Sequence, residues 1–275
     1  MTPASPAEAV RTAATLLFVP ADRPERFTKA AAAGADLVIL DLEDAVAPAN
    51  KEAARANAAQ WAATNPCAVR INATDTPWYV ADVAAVAPTG CAVVVPKAQD
   101  QAQLATLATA LGPEAAIVAL VETARGVFEA PKLAAVTGVV RLALGSFDLA
   151  VELNVDPVDR EALLPTRGAL VLASAVAGLP GPVDGVTAAL DDPTVVTEDT
   201  AYARRLGFAG KLCIHPKQLT PVAAALRPGD DEIDWAKRIV ASAAAGVAAV
   251  DGTMVDKPVI DRARRILART GPSEN

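Results

Sequence analysis

The chain has 275 residues, of which 52% are hydrophobic and only 4% aromatic, and its formal net charge is −7. This composition is typical of a globular protein with a core of Ala, Val and Leu, and it excludes a disordered chain. The negative charge disfavours nucleic acid as a partner, and no apolar run reaches the roughly 18 residues of a membrane span. The three cysteines (Cys67, Cys91 and Cys213) are odd in number and far apart in the sequence. They fit neither a disulfide framework nor a zinc site, and they indicate a reducing compartment, the cytoplasm.

Short apolar runs rich in β-branched residues recur along the chain. They are TLLFVP (15–20), DLVIL (36–40), CAVRI (67–71), CAVVVP (91–96), AAIVALV (115–121), VRLALG (140–145), PVDGVTA (182–188) and KLCIHP (211–216). Ala-rich amphipathic segments separate most of them, and this alternation is typical of parallel strands joined by helices. Eight such units predict a (β/α)8 TIM barrel. The wider gap between the sixth and seventh runs predicts an extra loop or turn of helix there.

The chain continues well beyond the eighth predicted strand. The sequence of residues 230–250 predicts a helix, and residues 251–270 predict a turn followed by another helix. A barrel needs only one helix after its last strand. We therefore assign residues 1–228 to the barrel and residues 229–275 to a C-terminal helical extension, which we expect to pack on a neighbouring subunit.

Polar residues follow nearly every predicted strand. Because the C-terminal ends of the strands of this fold carry the chemistry, these side chains should converge at one rim. In chain order they are Asp22, Arg23, Asp41, Glu43, Asp44, Arg70, Asn72, Lys97, Glu122, Ser146, Asp148 and His215. The three acids of LVILDLEDAV (37–46) are therefore expected to face a shared site.

Two of these carboxylates, Glu122 in ALVET and Asp148 in ALGSFD, end adjacent predicted strands. Unpaired carboxylates so close repel each other, and a divalent cation removes the conflict. Oxygen ligands favour Mg2+, with Mn2+ as the alternative, whereas one histidine and scattered cysteines disfavour zinc. Asp41 and Glu43 would hold the waters of the metal or act as further ligands. In the other interpretation, one carboxylate pairs with Arg70 and the other caps a helix.

The basic residues near the predicted rim each allow two or more interpretations. Arg70 either pairs with Glu43 or clamps a substrate carboxylate by two hydrogen bonds. Lys97 could form a Schiff base, attract an anionic substrate, or make a structural ion pair. Arg23 and Lys29 lie on a solvated face or receive a phosphate-bearing ligand.

Seven segments, taken together and in order, resemble the citrate lyase β-subunit-like proteins of the HpcH/HpaI aldolase superfamily. They are LLFVPADRPERFTKAAAAGADLVILDLEDAV, VRINATDTPW, VVVPKA, ALVETARGV, ALGSFDLAVEL, GFAGKLCIHPKQL and DGTMVDKPV. The resemblance spans about Leu16 to Leu267. It implies a (β/α)8 barrel, usually a homotrimer, that cleaves or forms a carbon–carbon bond beside a coenzyme A (CoA) thioester.

The resemblance also implies roles for particular residues. Glu122 and Asp148 match the metal ligands of the family, and Arg70 matches the arginine that holds the carboxylate or carbonyl end of the acid substrate. Many relatives read G-A-E-D-L where this chain has Gly-Ser-Phe-Asp-Leu at 145–149. Phe147 therefore replaces an acid, which makes the site lining more apolar.

Three further residues match family positions outside the metal site. Asp256 corresponds to an acid/base that reaches a neighbouring subunit's site, and Arg23 and Lys29 correspond to basic residues near the CoA phosphates. The implied reaction is Mg2+-dependent cleavage of a carboxylated 3-hydroxyacyl-CoA, such as malyl-, citramalyl- or 3-hydroxy-3-methylglutaryl-CoA. The products would be a 2-oxo acid and acetyl-CoA or a related acid or CoA ester.

In the predicted reaction Arg70, Asp256 and Glu43 are catalytic, and Lys97 and Asp41 join the residues that bind substrate. Relatives also include synthases and thioesterases, which the strand-end residues do not separate. Three other functions remain open: a metal-free Schiff-base aldolase using Lys97, a citrate lyase β-chain acting on an acyl-carrier thioester, and a non-catalytic barrel that binds CoA esters.

Overall fold

The computed structural model describes residues 5–244, 249–250 and 253–269. The chain divides into two compact units, with the boundary between Ala223 and Ala224. None of the helices in the described part of the chain is long and apolar enough to cross a membrane.

The first unit is a closed barrel of eight parallel strands, in which each strand pairs with the next and the eighth pairs with the first. The strands are β1 (Thr15–Pro20), β2 (Leu37–Asp41), β3 (Ala68–Arg70), β4 (Ala92–Val95), β5 (Ile117–Val121), β6 (Val139–Leu144), β7 (Val183–Asp184) and β8 (Gly210–Cys213). Each overlaps one of the predicted apolar runs, so the predicted TIM barrel is confirmed.

Helices surround this barrel in the expected alternation. They are α1 (Pro6–Thr12), α2 (Phe27–Ala31), α3 (Lys51–Ala62), α4 (Tyr79–Val86), α5 (Gln101–Leu111), α6 (Ala124–Ala134), α7 (Ser146–Leu153), α8 (Leu164–Val176), α9 (Pro193–Leu206) and α10 (Leu219–Leu226). Two helices, α7 and α8, connect β6 to β7, which confirms the insertion predicted there. Helix α1, which the sequence did not predict, precedes the first strand.

Small and branched side chains fill the barrel interior. Members of this buried cluster include Leu16, Ile39, Ala68, Val94, Val118, Leu120, Ala143, Val183 and Leu212. Because these residues alternate along the strands, the intervening side chains point outward against the helices. Asp100, Thr123 and Asp192 cap the N-termini of α5, α6 and α9 through backbone N–H groups, which fixes where the loops at the mouth end.

The described part of the second unit contains two helices and a pair of short antiparallel strands. The elements are α11 (Asp230–Ala244), β9 (Ala249–Val250), β10 (Thr253–Met254) and α12 (Lys257–Ala268). Buried Ala236, Ile239, Ala263 and Ile266 form its apolar core. The prediction of a helix through Val250 was wrong at its end, because Ala249–Val250 pairs antiparallel with Thr253–Met254. The Asp-Gly sequence between the two strands favours such hairpins.

Candidate active site at the barrel mouth

The C-terminal ends of the strands surround a cavity of about 410 Å3. Its charged lining comes from five predicted strand-end residues, namely Asp41, Asp44, Arg70, Glu122 and Asp148. Its apolar wall includes Phe18 and Phe147. The structure thus brings together residues that lie more than one hundred positions apart in the sequence.

Arg70 is held in place by two carboxylates. Its Nε and Nη2 atoms donate to the two oxygens of Asp41 over 2.7 and 2.6 Å, and its guanidinium lies 4.7 Å from the centre of the Phe18 ring. Burial opposes the charge of Arg70, but the hydrogen bonds and charge of Asp41, together with the charges of Glu43 and Asp44, outweigh burial and raise the Arg70 pKa. Such a two-pronged pair fixes both the position and the orientation of the guanidinium.

Asp41 is almost fully buried and also accepts backbone hydrogen bonds from Glu43 (2.9 Å) and Ala45 (3.2 Å). The contacts of this carboxylate are therefore those of a residue that positions Arg70 and the loop after β2. Its predicted direct contact with substrate stays a prediction.

Glu43 is buried beside Arg70 but is less well satisfied. Nη1 of Arg70 lies 3.0 Å from Oε2 of Glu43, yet that oxygen accepts no hydrogen bond from the described residues. Burial raises the pKa of Glu43 to about 7, and the nearby Arg70 charge only partly offsets this effect. Glu43 lies beside only one nitrogen of the guanidinium, Nη1. Arg70 can therefore pair with Glu43 and still contact a substrate, so both interpretations of Arg70 remain compatible with the site.

Glu122 follows β5 and is 4% exposed. Its Oε1 accepts the backbone N–H of Lys97 over 2.8 Å. A Cβ atom at Gly145 would clash with Cβ and Oε2 of Glu122, so this arrangement of the carboxylate requires glycine directly after β6. Burial, with repulsion from Glu43 and Asp148, raises the pKa of Glu122 to about 8.

Asp148 lies in the first turn of α7 and is exposed at the mouth. It lines the same cavity as Glu122 and contributes to the repulsion that acts on it. The predicted helix-capping role is not seen, because Gly145 precedes α7 and no side chain caps that helix.

The residues present suit a hard divalent cation. Glu122 and Asp148 offer carboxylate oxygens, and Glu43 adds an oxygen without a hydrogen bond. Within the described residues, no group of three His, Cys, Asp or Glu side chains could hold a metal. A site here would rest on two protein carboxylates, with waters and substrate completing the shell, which is the arrangement that Mg2+ favours.

A buried polar network supports the loop that carries Glu43. Lys51 donates to the carbonyls of Leu42 (2.6 Å) and Glu43 (2.7 Å) and to the side chain of Asn72 (2.7 Å). Asp82 in turn accepts from the side chain of Asn72 over 2.6 Å. This network ties the ends of β2 and β3 together.

Sequence reasoning missed Lys51, although a signal was present. Lys51 shares one face of α3 with Ala54, Ala58 and Ala62, and all four are buried. A lysine on the apolar face of a helix needs buried acceptors, and the loop carbonyls provide them.

Lys97 adopts a left-handed backbone conformation, with a φ of +48°. A non-glycine residue held there is strained, and such strain concentrates at functional sites. This conformation accompanies the hydrogen bond from the Lys97 backbone to Glu122. Its half-exposed side chain places Nζ 4.0 Å from Oε1 of Glu43.

Ser146 also lines this cavity, whereas the predicted residues Arg23, Lys29 and His215 do not. Arg23 and Lys29 are exposed on the segment after β1, and Nε of Arg23 lies 3.9 Å from Asp22. Asp256 belongs to the second unit, where its carboxylate accepts the Val259 N–H over 3.2 Å and caps α12. The proposed roles of all three stay predictions. His215 accepts the backbone N–H of Lys217, as a scaffold residue would.

A second buried charge cluster lies under β7 and β8. Asp184 binds Lys211 over 2.9 Å and Arg167 over 3.1 Å. Asp199 binds Lys211 over 2.9 Å and accepts the Thr187 hydroxyl over 2.6 Å. The sequence did not single out any of these five residues as charged or polar partners, because strand runs and family segments do not show which side chains meet inside the fold.

The HpcH/HpaI aldolase/citrate lyase family matches residues 14–216 of this chain. A citrate lyase subunit beta-like protein of Mycobacterium tuberculosis is 40% identical over 266 residues, which cover 93% of this chain and 94% of the relative. A (3S)-malyl-CoA thioesterase of Cereibacter sphaeroides is 35% identical over 268 residues, which cover 93% of each chain.

Solved structures show the same likeness. Protein CitE of M. tuberculosis, in complex with magnesium, acetoacetate and coenzyme A, superimposes with a TM-score of 0.83 at 38% identity, covering 95% of this chain and 99% of that one. A citrate lyase beta subunit of the same organism, with oxaloacetate and magnesium, gives 0.69 at 38% identity, covering 80% and 99%. The magnesium in these relatives agrees with the predicted cofactor. The likeness over most of the chain, together with the matched family segment, shows that this protein belongs to the HpcH/HpaI aldolase/citrate lyase family.

Proposed function

We propose that this protein is a Mg2+-dependent carbon–carbon lyase that cleaves, or in reverse forms, a carboxylated 3-hydroxyacyl-CoA. One observation carries the proposal: the mouth holds more carboxylates than cations, with buried Glu122 repelled by both Glu43 and Asp148. Membership of a family of aldolases and citrate lyases supports the reaction class. The candidate substrates are malyl-, citramalyl- and 3-hydroxy-3-methylglutaryl-CoA.

Glu122 and Asp148 are the residues that would hold the metal, with Mn2+ as an alternative to Mg2+. A bound dication supplies Lewis acidity toward the substrate oxygen that becomes a carbonyl. Glu43, whose Oε2 has no hydrogen bond from the described residues, would orient a water beside that oxygen. The backbone N–H of Lys97 holds Oε1 of Glu122 and so fixes the direction of this carboxylate.

Arg70 would bind the acid end of the substrate. Its Nε and one N–H of Nη2 donate hydrogen bonds to Asp41, and a guanidinium carries five N–H groups in all. Donors therefore remain for a substrate carboxylate or for the oxygen on which negative charge develops. Asp41 contributes by holding the guanidinium still, and half-exposed Lys97 adds a second positive charge beside Glu43.

The remaining parts of the proposal come from the family. Arg23 and Lys29 would bind the CoA phosphates, which suits two exposed basic residues after β1. Asp256 would move the proton at the thioester carbon in the site of a neighbouring subunit, within a homotrimer whose C-terminal extensions cross between subunits. A cytoplasmic location, inferred from the cysteine content, belongs to the same proposal.

The decisive experiment is a panel of malyl-, citramalyl- and 3-hydroxy-3-methylglutaryl-CoA, each assayed with Mg2+ and with EDTA. Release of an oxo acid together with a CoA ester, only when Mg2+ is present, is the expected result. If cleavage continues in EDTA, and if borohydride traps the substrate covalently on Lys97, the protein is instead a Schiff-base aldolase.

The (3S)-malyl-CoA thioesterase relatives favour a second candidate function, hydrolysis of the thioester. The same panel separates the two reactions, because hydrolysis releases free CoA and the intact hydroxy acid without an oxo acid. Turnover only of an acyl-carrier thioester would indicate a citrate lyase β-chain, and tight binding without turnover would indicate a non-catalytic barrel.

A further inference from the structure

Two of the three cysteines, far apart in the sequence, are neighbours in the fold. Strand β3 pairs with β4 so that Ala68 lies beside Ala92. Cys67 and Cys91 are the residues immediately before these two, and they therefore lie side by side at the starts of adjacent strands. Neighbouring strands are about 4.8 Å apart, and a disulfide spans Cα atoms about 4.4–6.8 Å apart. The register thus suits a bond between the two sulfurs.

Both cysteines line one small cavity of about 160 Å3, which Pro6 and Ala9 of α1 also line. Ala68 and Ala92 face the barrel interior, so the cysteines before them face outward toward the helices. Cys67 is buried, whereas Cys91 is partly exposed. Of the two residues, Cys91 is therefore the more accessible from solvent.

The pKa values of the two thiols also indicate that Cys91 reacts first. The hydrogen bond from Cys67, helped by one from Thr89, lowers the pKa of Cys91 against the effect of burial. The same contact and burial raise the pKa of Cys67. Since the thiolate is the reactive form, Cys91 is the better nucleophile. Cys213 is different, because burial raises its pKa to about 12.

We propose that Cys67 and Cys91 form a redox-active dithiol, which exchange with a low-molecular-weight disulfide oxidises to an intramolecular disulfide. In the first step the Cys91 thiolate attacks the small disulfide, forms a mixed disulfide and releases one small thiolate. In the second step Cys67 loses its proton and attacks the Cys91 sulfur, which releases the other small thiolate. The two cysteines are oxidised, and the small disulfide is reduced to two thiols.

This dithiol is separate from the proposed lyase site. It lies at the starts of β3 and β4, whereas Arg70 ends β3 at the mouth. Cys67 and Arg70 are three positions apart, or roughly 10 Å along a strand. The dithiol proposal therefore does not depend on the reaction catalysed at the mouth.

The test incubates the full chain, without oxygen and with a metal chelator, with glutathione disulfide as the probe. After an acid quench, free thiols are counted and intact masses are measured. Wild type and the control Cys213→Ser should each lose two thiols and the mass of two hydrogens, with no lasting adduct. Cys67→Ala should instead keep one glutathione on Cys91, and Cys91→Ala should react at least about tenfold more slowly.

Peptide mapping of the oxidised wild type gives a readout that does not depend on any variant folding. A linked peptide pair containing Cys67 and Cys91 is expected from monomeric chains on a non-reducing gel. The proposal is overturned if wild type retains the same glutathione adduct as Cys67→Ala. It is equally overturned if wild type keeps all three thiols, or if its disulfide joins two chains.

Discussion

Two clusters of buried charge sit in the same barrel and differ in one respect. Under β7 and β8, Asp184 and Asp199 face Lys211 and Arg167, so two acids meet two bases. At the mouth, the described residues include five acids (Asp41, Glu43, Asp44, Glu122 and Asp148) that face three cations (Arg70, Lys97 and Lys51). Balanced charges can stabilise one another, whereas an excess of buried acid calls for a further cation.

The protonation equilibria follow this difference. In the balanced cluster, Asp184 and Asp199 outweigh burial and raise the pKa of Lys211, and Lys211 likewise lowers the pKa of Asp199. At the mouth, burial dominates and raises the pKa of Glu43 to about 7 and that of Glu122 to about 8. A buried cluster in which acids and bases are equal in number is therefore weak evidence for a functional site. A cluster with an excess of acids is stronger evidence.

The largest effect is expected when the excess acid is removed. Glu122→Gln should lower the kcat/KM for Mg2+-dependent cleavage by about a thousandfold, or ~4 kcal/mol, because one of the two proposed protein ligands of the metal is lost. Titration with Mg2+ should raise the Tm of wild type but not of the variant. Without metal, the variant should be no less stable than wild type, because burial and the neighbouring acids already disfavour the charged form of Glu122.

Asp44→Asn provides the matched control for that experiment. Asp44 lines the same cavity, but its side chain is 64% exposed and lies 3.9 Å from Arg70. We expect activity within about threefold of wild type, since exposed ion pairs contribute little. Full activity in Glu122→Gln would reject the metal assignment, whereas a large loss in Asp44→Asn would show that any acid at the mouth matters.

The balanced cluster should respond in the opposite way, through stability. Asp184→Asn leaves Lys211 with one carboxylate and Arg167 without its ion-pair partner, and both side chains are at most 5% exposed. We expect the free energy of unfolding to fall by about 3 kcal/mol, which urea titration measures. The kcat per folded molecule should not change, and a selective loss of kcat at unchanged stability would contradict the structural role.

The fold was predictable because its signals are local and repeated. Apolar runs such as LVIL before Asp41 and VVV before Pro96 have the length of buried strands, and eight of them leave few topologies other than a barrel. The pairing of Ala249–Val250 with Thr253–Met254 was missed because AAAGVAAV carries no polar residue that would mark the end of a helix. The strand register also escaped prediction, and with it the contact between Cys67 and Cys91.

The site was predictable only in part, because strand ends reveal which residues meet but not how they bond. Glu122, Asp148 and Arg70 follow from position alone, and the structure places all three around one cavity. The bidentate grip of Asp41 on Arg70 depends on side-chain orientation, which no pattern of residues encodes. Lys51, which binds the loop after β2, was missed because it lies in an Ala-rich helix and not at the end of a strand.

A third change tests whether Asp41 acts by holding Arg70. Asp41→Asn keeps the size of the side chain but loses the charge that pairs with both Nε and Nη2 of Arg70. We expect kcat/KM to fall by about thirtyfold, or ~2 kcal/mol, mainly through a higher KM for the acid end of the substrate. The Mg2+ midpoint from Tm shifts should stay within about twofold of wild type. A loss of Mg2+ affinity instead would assign Asp41 to the metal rather than to Arg70.

The smallest effect concerns the pH dependence of the balanced cluster. Lys211 lowers the pKa of Asp199 in the folded protein, so this carboxylate binds protons less readily when folded than when unfolded. Its stabilising contribution is fully present above the unfolded pKa of about 4 and is lost as the pH falls through the folded pKa.

Asp199→Asn should therefore lower the free energy of unfolding by about 1 kcal/mol at pH 7 and by less at pH 3.5. Urea titrations at both pH values measure the difference, with the exposed Glu198→Gln on the same helix as the control. An equal loss at both pH values would mean that Asp199 acts through packing and not through its charge.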